Sequence, residues 1–549
     1  MVRDATTRHR APGDASALGP GAAFGLYAAA DFDLEDGASA LSGDCPTIPQ
    51  ALWYFQRETI AVPKRGRPVA TFAARVSVSD DLRSWLAQRD ASTLEFPPLV
   101  WVAAAHVLTE ARLSADASTL ESGVGALRAS LVPKIALNRS YFDATSAAFF
   151  HQRTVRARGT MNGTAFAIRT LWPEDWRIDR APADALLPPG VPETLALRAR
   201  MRAQPSGGAR SPFAASTLWR RAGVPDRIPP GRTVLAFMLN GAQGDDDEAH
   251  GGHFALITGR TDEQGSIADW LVNDFYALDS ESEKGILAAP VPLDNYLADL
   301  NSGQSWYRPS QMLVLVLAQE RAAVLVQAAL NRVYNHFWRH QLPYRHASMN
   351  CAGISVDLLR LLGWHIAARG PASRAAATIA FPYVAATERS VAKARVAFDY
   401  LVEDLTRLMP AAAFEECGAA ALRLAAAGLA KSVSGAAAGP LERMLADDIE
   451  RVLYVHLPQL PSSRVFGDAP VVTPWEFRAR MPVEPQIVPV PPRPLPDALW
   501  PHDLVPVERP ASHYAAIVWG TLLVVGIPMF LFGRFREWRR KRKVVSDPS

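Results

Sequence analysis

The sequence predicts an α+β protein with a C-terminal membrane anchor, and three observations carry that prediction. β-rich runs such as TAFAIRTLW and RTVLAFMLNG alternate with stretches of helical spacing such as ERAAVLVQAALNRVYNHFW. Residues beyond 370 turn Ala-rich and helical in pattern. YAAIVWGTLLVVGIPMFLF, Tyr514 to Phe532, carries no charge and has about the 20 residues that cross a hydrocarbon core.

A chain of 549 residues implies two or three folded units with connectors. Its 49% hydrophobic and 21% charged composition is that of a globular protein and excludes a largely disordered one. Net charge is +3, and seven basic residues crowd between Arg534 and Lys543, so nucleic acid is excluded as a partner class. Cys45, Cys351 and Cys417 follow no metal spacing, which argues against both a disulfide framework and a cysteine zinc site. In an oxidising compartment Cys45 and Cys417 could pair and leave Cys351 free.

In chain order, residues 1–45 are rich in Ala, Gly, Asp and Ser and read as a flexible leader. Arg3, Arg8, Arg10 and a weakly apolar ALGPGAAFGLYAAA make a poor signal peptide. Residues 46–212 form an N-terminal α+β region, with TFAARVSVS and TAFAIRTLW as strands and PPLVWVAAAHVLTEARL as a helix. Residues 213–370 form a second unit. Its strands are RTVLAFMLNG, HFALITGR, IADWLVNDFYAL and the continuously apolar QMLVLVLAQ; the helix ERAAVLVQAALNRVYNHFW and the stretch YRHASMNCAGISVDLLRLLGW follow. Residues 371–480 form a helical subdomain. Residues 481–512 are a proline-rich stalk, with ten prolines in the first thirty residues. At roughly 3.1 Å per residue it would reach up to about 90 Å. A transmembrane helix spans 513–533, and 534–549 is a basic tail whose charge favours the cytoplasm.

The chemistry gathers in the second unit. Asn350 is a strong N-cap residue, Cys351 is then the first helical residue, and Gly363 is a ready stop. A thiol at a helix start feels the positive end of the dipole, which raises its thiolate fraction. Ile354, Leu358, Leu361 and Leu362 fall at +3, +7, +10 and +11 from Cys351 and aim the sulfur along the buried face. A cysteine on such a face is also an ordinary core residue, so a base is needed to make it a nucleophile. His253 opens the strand HFALITGR behind two glycines. If Thr261 and Ser266 close a four-residue turn, paired positions sum to 527 and His253 lies opposite Asp274; a one-residue slip puts Asn273 there. Either could orient the imidazole. Asp245, Asp246, Asp247, Glu248, His250 and His253 offer a rival cation site. However, adjacent aspartates diverge and HxxH is not HExxH, so no metal is expected.

A histidine on a strand, a polar residue on the next and NC at the start of a helix resembles the circularly permuted NlpC/P60 branch of the papain-like cysteine enzymes. GGHFALITGR and YRHASMNCAGISVDLLRLLGW carry the likeness. The closest resemblance is to a bacterial membrane-attached family that includes a lipoprotein N-acyltransferase. It covers about 213–370, less than a third of the chain. The resemblance implies Cys351 as nucleophile, His253 as base and Asp274 or Asn273 as orienter, with no cofactor. Weaker candidates for substrate or oxyanion contacts are Asn350, Tyr344 and His346. The implied function is a membrane-anchored acyltransferase or hydrolase working through a cysteine thioester on a lipid, lipoprotein or peptide amide. The implied location is a bacterial inner membrane, spanned once, with the catalytic domain periplasmic; a cytoplasmic tail-anchored arrangement is the alternative. The acidic insertion and the flanking regions depart from the pattern. A non-catalytic, membrane-tethered binding or assembly module, in which Cys351 and His253 only pack, is the competing reading.

Overall fold

A computed structural model describes residues 21–65, 76–89, 93–135, 142–188, 190–243, 251–278, 285–428, 438–464, 467–474, 476 and 494–500. It is a mixed α+β protein. The predicted membrane span, the basic tail, most of the proline-rich stalk and the acidic residues 245–248 with His250 lie outside the described residues. Among the described residues no helix is long and apolar enough to cross a membrane.

The site rests on an eight-stranded sheet: β1 (Ala183–Asp184), β2 (Ala214–Arg220), β3 (Thr233–Asn240), β4 (His253–Arg260), β5 (Leu271–Asn273), β6 (Pro290–Pro292), β7 (Ser310–Leu317) and β8 (Ile449–Leu457). The spatial order is β1-β2-β8-β7-β3-β4-β5-β6, and all neighbours are antiparallel except the β1–β2 edge pair. β3 and β7 are buried at every position, as continuous Val, Leu and Ile runs require of central strands covered on both faces. β8 corrects the sequence reading of 371–480 as purely helical, because its IERVLYVHL run inserts between β2 and β7. Helices α1 (Arg321–Trp338), α2 (Cys351–Leu361) and α3 (Pro410–Ala427) pack on this sheet and on one another.

The N-terminal region folds as a closed five-stranded barrel built from 106–113, 119–122, 125–131, 155–162 and 165–173, beside a three-stranded sheet of 32–36, 59–63 and 100–103. PPLVWVAAAHVLTEARL is therefore two strands rather than a helix. Ala103 at φ 61° breaks the run, and Val100, Trp101 and Val102 are core residues of the first strand. Ser77 caps a helix over Val78–Gln88, where TFAARVSVS suggested a strand; residues 71–75 lie outside the described residues. Buried ion pairs fasten barrel to sheet: Asp294, fully buried, accepts from the Nε atoms of Arg156 and Arg158, each at 2.7 Å, and Asp299 accepts from Arg169 at 2.8 Å. The charges meet one another where water is excluded, so removing either partner would strand the other.

Residues 21–45, read as a leader, belong to the folded body. Gly25 sits so close to β5 that a Cβ there would lie 2.5 Å from the Leu271 Cβ, and its N–H donates to the Asp269 carbonyl at 2.7 Å. Nearby, Asn331 of α1 donates to the Tyr27 hydroxyl at 2.9 Å.

Candidate active site

Three elements meet at the start of β4. Gly252 precedes it at φ +69°, a left-handed conformation, and any Cβ there would press to 2.9 Å against Ala242 and the Asn240 carbonyl. His253, the first residue of β4, is thus delivered at a tight turn. α2 begins at Cys351, as the cap signal predicted. The Asn350 Oδ1 accepts the Gly353 N–H at 2.9 Å, while its Nδ2 donates to the carbonyls of His346 and Leu408, both at 2.9 Å. The Asn350 amide is fully committed to holding the helix start and is not free to serve as an oxyanion donor. Gly363, at φ +84°, ends the helix as expected.

The register of β4 and β5 differs from the expected one by two residues: Leu256 pairs with Asn273 and Thr258 with Leu271, so paired positions sum to 529. The cause lies in the connection. Gly265 and Ser266 bond outward to the segment around Arg177 and Ile178, which opens the predicted four-residue turn into a longer loop. A two-residue shift keeps side-chain parity. Asp274, just past the end of β5, therefore still shares a face with His253, and its Oδ1 lies 2.6 Å from the His253 Nε2. The Asp274 backbone is held on both sides, its N–H donating to the Ala289 carbonyl at 3.2 Å and its carbonyl accepting from the Tyr334 hydroxyl at 2.9 Å.

Asn273 is not the orienter. Its amide exchanges hydrogen bonds with Gln327 of α1 at 2.9 and 3.0 Å, and Gln327 also accepts from Thr258 and donates to Asn331. That buried polar string ties α1 to the sheet on the face opposite His253.

The Cys351 thiol lies within hydrogen-bonding reach of the His253 imidazole. With Nε2 turned to Asp274, Nδ1 is the nitrogen left for sulfur. Cys351, His253 and Asp274 are 3%, 4% and 1% exposed. The His253–Asp274 contact is short but not aligned as a linear hydrogen bond, and among the described residues neither Asp274 oxygen has another hydrogen-bond partner. A buried carboxylate in that position demands a cation, and the imidazolium is the one beside it.

Electrostatics follow from this packing. Burial alone would push the Cys351 thiol up. The adjacent His253 charge, its hydrogen bond and the Phe254 backbone N–H more than offset that, so the thiol is lowered from its ordinary value. Burial alone would likewise lower His253, but the Cys351 thiolate and the Asp274 carboxylate raise it to about 10. The two shifts act together: the imidazolium favours the thiolate and the thiolate favours the imidazolium.

Tyr344 is half-buried, packs tilted against Tyr276 with centroids 5.9 Å apart and meets the exposed His346 edge-on at 5.2 Å. The Cys351 backbone N–H lies near its hydroxyl and works to lower the phenol. Burial, followed by the Cys351 charge, holds that phenol well above its usual range, so it stays a potential donor. Sequence reasoning missed Tyr276 and Tyr296, whose rings stand 6.3 and 6.4 Å from the imidazole, because neither sits in a motif. It also missed the Phe254 N–H, a backbone donor that no sequence pattern announces. No protein-family model matches the chain, and neither a curated protein nor a solved structure matches it.

Proposed function

We propose that this protein is a membrane-tethered, papain-like cysteine enzyme of the permuted NlpC/P60 kind, transferring or hydrolysing an acyl group through a Cys351 thioester. The observation that carries the reading is one imidazole, His253, bridging a helix-start thiol and a buried carboxylate 2.6 Å from its Nε2. The tether is the charge-free segment Tyr514 to Phe532.

The chemistry follows from the positions. The Cys351 thiolate attacks the carbonyl carbon, and the π electrons move onto oxygen. That oxyanion is met by the Cys351 backbone N–H, which the first helical turn leaves without an intrahelical acceptor, and by the Tyr344 hydroxyl turned to donate. As the carbonyl reforms, the bond to the leaving amine or alkoxide breaks and the His253 Nδ1–H protonates it. The acceptor, water or a second nucleophile, then gives its proton to His253 and attacks the thioester, expelling the thiolate. Asp274 holds the ring and balances its charge throughout.

A second reading, a tethered binding or assembly module, is favoured by one observation: Cys351 is only 3% exposed. Alkylation with iodoacetamide at pH 6 separates the two. Rapid Cys351 labelling that is lost in His253→Ala, with the thermal midpoint kept, supports the enzyme; equal, slow labelling of both proteins supports the module.

A further inference from the structure

At the far end of the same strand row lies a cavity of about 540 Å³, walled by the 144–151 helix, the 209–213 turn and the 458–464 segment that leaves β8. Its volume falls in the range of small-molecule sites. Leu457 pairs with Ser310, Ser310 with Asn240 and Asn240 with His253, so three interstrand steps, roughly 14 Å at about 4.8 Å each, separate the residue before the Pro458 wall from the histidine.

The walls have two chemistries. Phe213, half-buried, stacks on the buried Trp176 with centroids 6.4 Å apart and planes 15° from parallel, so the cavity has an aromatic wall with a second ring behind it. Arg153, Arg210 and Arg464 line the cavity against a single carboxylate, Asp175, for a lining charge of three minus one, or +2. Arg153 is tied to Asp175 at 3.3 Å, whereas Arg210 reaches Asp468 only at 3.9 Å, with both side chains largely in water. The framework is preformed: the Gln459 Nε2 donates to the Trp306 carbonyl at 2.9 Å and the Leu460 N–H to the Ser305 carbonyl at 2.6 Å.

We propose that this cavity is a binding site for a small amphipathic anion, a phosphate or carboxylate held by Arg210 and Arg464 with an apolar body against Trp176 and Phe213. The site stands independently of the acyl-transfer reading. The test is calorimetric titration of the full chain in lipid nanodiscs, with empty discs as the blank and 1-naphthyl phosphate as the probe. One saturable site per chain is expected. Inorganic phosphate, lacking the body, and 1-naphthylmethylammonium, with the charge reversed, should each bind at least tenfold more weakly. Arg210→Gln and Arg464→Gln, both at exposed positions, should each weaken the probe by roughly tenfold, the worth of one charge-assisted hydrogen bond. Phe213→Ala should weaken it while leaving the thermal midpoint in place. Absence of saturable binding, equal binding of the ammonium analogue, or indifference to both arginine changes would overturn the proposal.

Discussion

Cys351 and Cys417 are both buried on helices of the same core, at 3% and 0% exposure, and their chemistry is opposite. Cys417 lies in the middle of α3, where backbone N–H groups are already spent within the helix. Burial pushes its thiol far up, and the neighbouring Arg360 charge does not reverse this. Cys351 suffers the same burial, yet the His253 charge and hydrogen bond, with the Phe254 N–H of β4, pull it down. Burial does not decide whether a cysteine is inert; what it is buried against does.

The largest expected effect tests that contrast directly. With peptide-level mass spectrometry of the iodoacetamide reaction at pH 6, Cys351 should be modified roughly a hundredfold faster than Cys417, in proportion to thiolate fraction. Comparable rates would erase the distinction.

Next in size, His253→Ala should slow Cys351 labelling at pH 6 by about a hundredfold and move its pH–rate limb upward, since the thiol then keeps the burial penalty without the neighbouring charge. The wild-type limb should lie below pH 9. The stability signs follow the same shifts. A raised histidine contributes fully below pH 6.5, and that contribution fades as pH rises through about 10. A lowered thiol contributes above pH 9 and loses that contribution as pH falls through its folded value. The ion pair is intact between the two folded values, and denaturant midpoints measured across pH should fall off at both ends.

Asp274→Asn should lower the upper edge of that window from about 10, because one of the two anions that raise His253 is gone, and should cut labelling at pH 8 by roughly tenfold. Asn273→Ala, its sequence neighbour, should leave labelling unchanged. It should cost about 1–3 kcal/mol in urea unfolding by breaking the Gln327 network. If both changes altered only stability, Asp274 would have no orienting role.

The smallest effect is Cys417→Ala, a loss of about 1 kcal/mol with labelling unaffected.

Much of the site was legible because it is written in local signals: Asn350 before Cys351 as a cap, Gly363 as a stop, and two glycines before His253. The sequence left Asp274 and Asn273 both open; the assumed register was off by two, and that even error kept Asp274 on the face of His253. What could not be read depends on distant partners. β8 joins the sheet from a region whose neighbours are Ala-rich helices, and the hydrophobic run 99–102 suits a buried strand as well as a buried helix. The loop after β4 lengthens because a segment some ninety residues earlier binds it.

The contact between Tyr27 and Asn331 spans 304 residues. During synthesis at about 5–20 residues per second, the segment around Tyr27 leaves the ribosome and waits roughly 15–60 s before its seat on α1 exists. Phe24, Tyr27 and Phe32 meet Ala61, Phe96, Val100 and Val102 well before then, while Leu271 of β5 comes about 240 residues after them. The seat of Tyr27 on α1 is therefore among the last contacts of this segment to form.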